Sequence, residues 1–124
     1  MGEQDQYTRR RRVPRREFLR PVGVLVGGRY YVTRALQIGE GGLKLEFHRP
    51  LEVNSQLALS FLIPGQKMTV VRSVVRNQEP APGEPGLLHF GVEFLNLDFA
   101  LKRAIRNYVA LTKRPTYGLA EPHG

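Results

Sequence analysis

The sequence predicts a mainly β fold: six antiparallel strands closing into a small barrel, followed by one α-helix. Three observations point there. Short β-rich runs recur between turn signals from Val22 to Leu97. The two clearest runs, LKLEF and QLALSFLI, are apolar at every second position, the period of a half-buried strand. Only the segment after them, DFALKRAIRNYVALTK, has helical periodicity. A sheet with one wet and one apolar face must close on itself or be covered by another element.

The elements follow in order. VGVLV, Val22 to Val26, is the first strand, and Gly27-Gly28 is a hairpin signal. RYYVTRALQI, Arg29 to Ile38, returns as the second strand. Alternation puts its Tyr30 and Tyr31 on opposite faces, so at least one belongs to the core and the other is available to stack on a flat ring. In the third strand Leu43, Leu45 and Phe47 face inward, with Lys44 and Glu46 outward. A loop around Pro50 leads to the fourth strand, Gln56 to Ile63, and the turn PGQK leads to the fifth, Met68 to Asn77. QEPAPGEPG, Gln78 to Gly86, reads as a long surface loop. LLHFGVEFLNL, Leu87 to Leu97, is the last strand, with Gly91 a bulge candidate. The helix is expected over Asp98 to Lys113, with Asp98 as N-cap and a core stripe of Leu101, Ile105, Tyr108 and Leu111. Lys102, Arg103 and Arg106 take its polar side, and Lys113 and Arg114 suit its negative end. His48 and His89 read as ordinary strand-end or sheet residues.

This predicts a flexible arginine-rich arm over residues 1–18, a barrel with its helix over 19–114 and a flexible tail over 115–124. With 124 residues the chain suits one domain with a real core. The absence of cysteine excludes disulfides and thiolate chemistry, and the three histidines are too scattered to suggest a metal site. No apolar run approaches the roughly 20 residues of a membrane-spanning helix, and the polar N-terminus lacks a secretory core. The expectation is therefore a cytoplasmic protein with no membrane insertion. No nucleophile elbow, phosphate-loop lysine or paired carboxylate stands out, so the prediction is a protein that is not an enzyme, with no catalytic residue, metal or cofactor.

The net charge of +8 is unevenly placed. Residues 9 to 20 hold Arg9, Arg10, Arg11, Arg12, Arg15, Arg16 and Arg20 against the single acid Glu17. Such a block cannot form a core element and is suited to an anion. Guanidinium groups bind phosphate oxygens in a bidentate fork and stack on flat rings, which favours a phosphate-bearing or nucleotide partner. Direct nucleic-acid binding is the weaker reading, because no ordered interleaving of aromatic side chains with the arginines supports it.

The order of parts is specific: an arginine arm, a hairpin, a glycine turn QIGEGGL, further strands, GVEF from Gly91 to Phe94, and an amphipathic helix. Within it the arm carries RxxxR at Arg11 to Arg15, with a second register from Arg12 to Arg16. The turn from Gln37 to Gly42 aligns with a second signature, [D/N]xSxxG. From about Arg9 to Leu111 the chain resembles the PilZ domain family, bacterial receptors for the second messenger cyclic di-GMP. The resemblance implies a PilZ-like six-stranded barrel whose ligand is cyclic di-GMP and whose output is a changed surface offered to an unidentified downstream protein. It implies that Arg11 and Arg15 bind phosphates and guanine, with Arg10, Arg12 and Arg16 as neighbours able to help. Gln37, Gly39 and Gly42 then form the second half of the site. Gln37 stands where the family has an acid or asparagine, Gly39 where it has serine, and Gly42 matches. The alternative is a PilZ-like interaction module that no longer binds the nucleotide.

Overall fold

The computed structural model describes residues 14–120, and the side chains of residues 14–111. Six strands form a closed antiparallel barrel in the order β1-β2-β3-β6-β5-β4. They are β1 (Arg15–Val26), β2 (Arg29–Gly39), β3 (Gly42–Phe47), β4 (Gln56–Leu62), β5 (Met68–Pro80) and β6 (Leu88–Phe94), followed by α1 (Phe99–Ala120). The predicted class and the order of elements stand. Gly27 and Gly28 both adopt positive φ, which closes the two-residue β1–β2 hairpin with the twist its strands need.

Several boundaries differ from the expectation, and β6 stops at Phe94 instead of reaching Leu97. β1 begins at Arg15, so the last residues assigned to a flexible arm, Arg15 to Phe18, are strand. A register shift between Glu17 and Arg20 breaks the alternation there, and this hides the strand from a periodicity reading. β5 runs on to Pro80, so Gln78 to Pro80 belong to the ladder and not to a loop. Gln78 pairs Phe90, Glu79 pairs His89 and Pro80 pairs Leu88. The β5–β6 irregularity falls between Val75 and Asn77 on β5, opposite Gly91, so the bulge is on the other strand from the one expected. α1 continues past Lys113 and Pro115 to Ala120.

The core is built from the inward positions of all six strands. Phe18 sits edge-on to Phe61, with ring centroids 6.3 Å apart, and Phe61 stacks on Phe94 at 5.8 Å. Each such side chain contributes about 1.5–3 kcal/mol by leaving water. Tyr31 packs edge-on against Phe47 at 5.2 Å while Tyr30 is exposed, as alternation required.

α1 packs against β1 and β2. The Asp98 carboxylate accepts a hydrogen bond from the Leu101 amide at 2.8 Å, the N-cap expected from the sequence. Its buried face is Ile105 and Val109, with Leu101 and Tyr108 half-buried. Leu111, expected in the stripe, is exposed. At 3.6 residues per turn Val109 lies within about 40° of Ile105, whereas Leu111 is about 120° away.

Candidate ligand-binding cleft

Strand alternation sorts the two described arginines at the start of β1 onto opposite sides. Arg15 pairs with Gly39 and faces outward, where it lines a cleft of about 720 Å³ on the barrel surface. That volume is in the range of small-molecule sites, roughly 300–1,000 Å³. Arg16 pairs with Ile38 and turns toward the helix. Its guanidinium lies 3.6 Å from the Tyr108 ring centroid and donates a 3.0 Å hydrogen bond to the Tyr108 carbonyl. Arg16 therefore ties β1 to α1 and does not line the cleft. Arg10, Arg11 and Arg12 lie outside the described residues.

The glycine turn forms the adjoining wall. Gln37, Gly39, Gly41 and Gly42 all line the same cleft as Arg15. Two of these glycines are required by packing. A Cβ on Gly42 would fall 2.1 Å from the Val92 carbonyl oxygen, so only glycine lets β3 lie this close to β6. A Cβ on Gly39 would stand 2.8 Å from the Pro14 carbonyl oxygen, so a side chain there forces the start of β1 away. Gly41 has open space above it, and its carbonyl accepts from the Phe94 amide at 2.9 Å. Between these glycines, Glu40 turns to the helix instead of the cleft. Its carboxylate receives two hydrogen bonds from Arg106, at 2.8 and 3.1 Å. The hydrogen-bonded Arg106 guanidinium holds the Glu40 carboxyl below its ordinary value.

The far wall comes from β3, β6 and β5 and was not legible in the sequence. It adds Lys44, Arg76, Asn77, Glu79 and Glu93. Arg76, at the β5 bulge, donates to Glu93 at 2.6 Å and to the Asn54 side chain at 3.2 Å. Lys44 pairs with Glu79 at 3.8 Å. Asn77 receives the Gly91 amide at 3.1 Å. The cleft thus offers three cationic side chains, two carboxylates, two amides and uncovered backbone at the glycines. Guanidinium and ammonium groups suit phosphates; amides, carboxylates and bare backbone suit the edges of a base. Among the described residues no helix is long and apolar enough to cross a membrane.

Comparison with known proteins agrees with this geometry. A family model described as the PilZ domain matches residues 9–111. No curated protein matches the chain. Among solved structures, the Bacillus subtilis inhibitor of motility MotI/DgrA superposes with a TM-score of 0.75 at 15% identity, over 84% of this chain and 51% of that one. Escherichia coli YcgR in complex with c-di-GMP gives 0.69 at 14% identity, over 93% and 51%. The isolated PilZ domain of YcgR with c-di-GMP gives 0.63 at 15%, over 91% and 98%. At these identities the likeness is one of fold. The chain spans about half the length of the first two.

Proposed function

The chain belongs to the PilZ domain family, and from that premise we propose that it is a cyclic di-GMP receptor whose surface changes on binding to signal to a partner protein. One observation carries the reading: Arg15 and the Gln37–Gly42 turn, far apart in sequence, line a single cleft of about 720 Å³. In this reading Arg15 grips a phosphate and stacks on a guanine, and Arg10, Arg11 and Arg12 close over the ligand from the chain before it. Gln37 presents its side-chain amide to a guanine edge, and the bare backbone at Gly41 lets the base approach. Arg12 and Arg16 offer the second RxxxR register, but Arg16 is committed to Tyr108 and acts through the helix. The role is that of a receptor or adaptor without a reaction of its own, working in the cytoplasm where a soluble nucleotide messenger reaches it.

The output follows from the tethers. Arg15 adjoins Arg16, which holds Tyr108; Gly39 and Gly41 flank Glu40, which holds Arg106. A ligand that moves either cleft wall pulls on α1 through the next residue. Isothermal titration calorimetry tests the binding: saturable heat with cyclic di-GMP for the natural protein, and at least tenfold weaker binding for Arg15→Ala. No heat at ligand concentrations of about 100 µM, a concentration equivalent to roughly −5.5 kcal/mol, ends the reading.

A second reading, an interaction module that has lost the nucleotide, is favoured by a different observation. Gly39 and Gly42 are each accounted for by backbone packing alone. Under it, the same titration is silent and remains silent after Gln37→Asp.

A further inference from the structure

The barrel has a second outer face, made by β2, β1, β4 and β5 away from the cleft, and it is apolar. The pairing register draws one row straight across it: Val32 beside Gly23, Gly23 beside Ser60, Ser60 beside Val70. Leu62 and Met68 pair in the next row, and Leu25 pairs with Tyr30 in the row on the other side. Val32, Val70, Met68 and Tyr30 are 68%, 69%, 64% and 62% exposed, the kind of exposure sheet hydrophobics have when they lack a covering layer. Tyr30 is fixed in place. Its hydroxyl is 3.2 Å from Ser60 Oγ, and the ring lies over Gly23, where a Cβ would fall 2.1 Å from the phenol oxygen. The patch is thus pre-set, which reduces the ordering cost of an encounter.

Its charges have one sign. Lys67 sits in the β4–β5 turn at one end, and Arg34 and Arg72 border its rows. Outward positions of these rows carry no carboxylate; Glu46, on the neighbouring strand β3, pairs with Arg34 at 3.2 Å. Four strands about 4.8 Å apart and three outward rows make a patch on the order of 300 Å². That suits the apolar centre of a transient interface of roughly 800 Å² per partner and is small for an obligate homodimer. A second copy would also bring cationic rim against cationic rim in a chain of net charge +8. A rigid Tyr with Met and Arg around it matches the residues enriched in protein interfaces, whereas a barrel wall has no amphipathic helix on this face to sink into lipid.

We propose that this face, independent of the cleft and of what the cleft binds, docks a different protein through an apolar surface rimmed by acidic side chains. The test places a photoreactive amino acid at Val32 of the full chain in its native cells, with Val53 as the control position. The protein cross-linked at Val32 and absent at Val53 is then purified, and its binding to the natural chain is measured beside Val70→Glu and Val70→Lys. The expected result is at least tenfold weaker binding for Val70→Glu and a clearly smaller loss for Val70→Lys, with melting temperature and cyclic di-GMP titration unchanged in both. Equal losses for Glu and Lys overturn the charge assignment and with it the proposal. Cross-links only to a second copy, no specific cross-link, or loss of binding to phosphatidylglycerol vesicles as the sole effect of Val70→Glu each overturn it too.

Discussion

The same two short segments, Pro14 to Arg16 and Gly39 to Gly42, present one side to the cleft and the other to the helix, and the two sides differ in kind. On the helix side the side chains are committed to the fold. Arg16 stacks on Tyr108 and bonds its carbonyl, and Glu40 holds Arg106 with two hydrogen bonds. On the cleft side stand Arg15, Gln37 and glycines over a cavity of about 720 Å³. The alternation of a strand does the sorting, one residue to each side. Position in an arginine run therefore decides role: Arg15 and Arg16 are chemically identical and separated by one residue, yet one lines a surface cleft and the other fastens a helix.

Substitutions break the comparison at different points. The largest effect is expected at Gly42, where the cleft wall and the barrel seam coincide. Gly42→Ala places a methyl against the Val92 backbone, and we expect a loss of about 3 kcal/mol or more, since overpacking against backbone cannot relax by rotamer change. Chemical denaturation reads it directly; a loss below about 1 kcal/mol would mean that β3 and β6 separate easily. Next comes Arg15→Ala, expected to weaken cyclic di-GMP by about 10- to 100-fold, the worth of one charge-assisted contact, while stability stays within about 0.5 kcal/mol. Arg16→Ala should do the reverse. Its stack and hydrogen bond are worth about 1 kcal/mol of stability, and hydrogen exchange should quicken along α1 around Tyr108.

The smallest effect is the Glu40–Arg106 pair, which sharpens the comparison through pH. Arg106 holds Glu40 below its ordinary value of 4.5 in the folded protein, so the carboxylate is favoured by folding. Its contribution is complete above that ordinary value and disappears as pH falls through the lower, folded value. Melting curves of the natural chain and Glu40→Gln should accordingly differ slightly at about pH 6 and converge in acid, once pH has fallen below the folded value. A difference that persists in acid would assign the effect to packing of the turn and not to charge.

Much of the fold was legible because inward positions recur at every second residue in β3 and β4, and Gly27-Gly28 marks the first hairpin. Phe18 was not. It is the lone apolar residue of RREF to reach the core, and the register shift beside it removes the alternation that identifies a strand. The polar end of β5 was missed for another reason: Gln78 to Pro80 are exposed and join β6 through the backbone ladder, which leaves no trace in side-chain pattern. The cleft was half legible. Arg15, Gln37, Gly39 and Gly42 carry short signatures, whereas Lys44, Arg76, Asn77 and Glu93 come together only because β3, β6 and β5 are neighbours in a closed barrel. Strand order is a long-range property, and no local spacing records it. The sequence also assigned to ligand approach a glycine, Gly42, that the seam itself requires.

The central claim, that Arg15 and the glycine turn are two walls of one cyclic di-GMP site, is tested most directly by nuclear magnetic resonance of the isotope-labelled protein titrated with cyclic di-GMP. The account predicts saturable shifts of the Gly39, Gly41 and Gly42 amides and of Arg15, smaller shifts along α1 near Tyr108, and none at Val32 or Val70. Unmoved glycine amides at ligand saturation, or shifts confined to the opposite face, would contradict it.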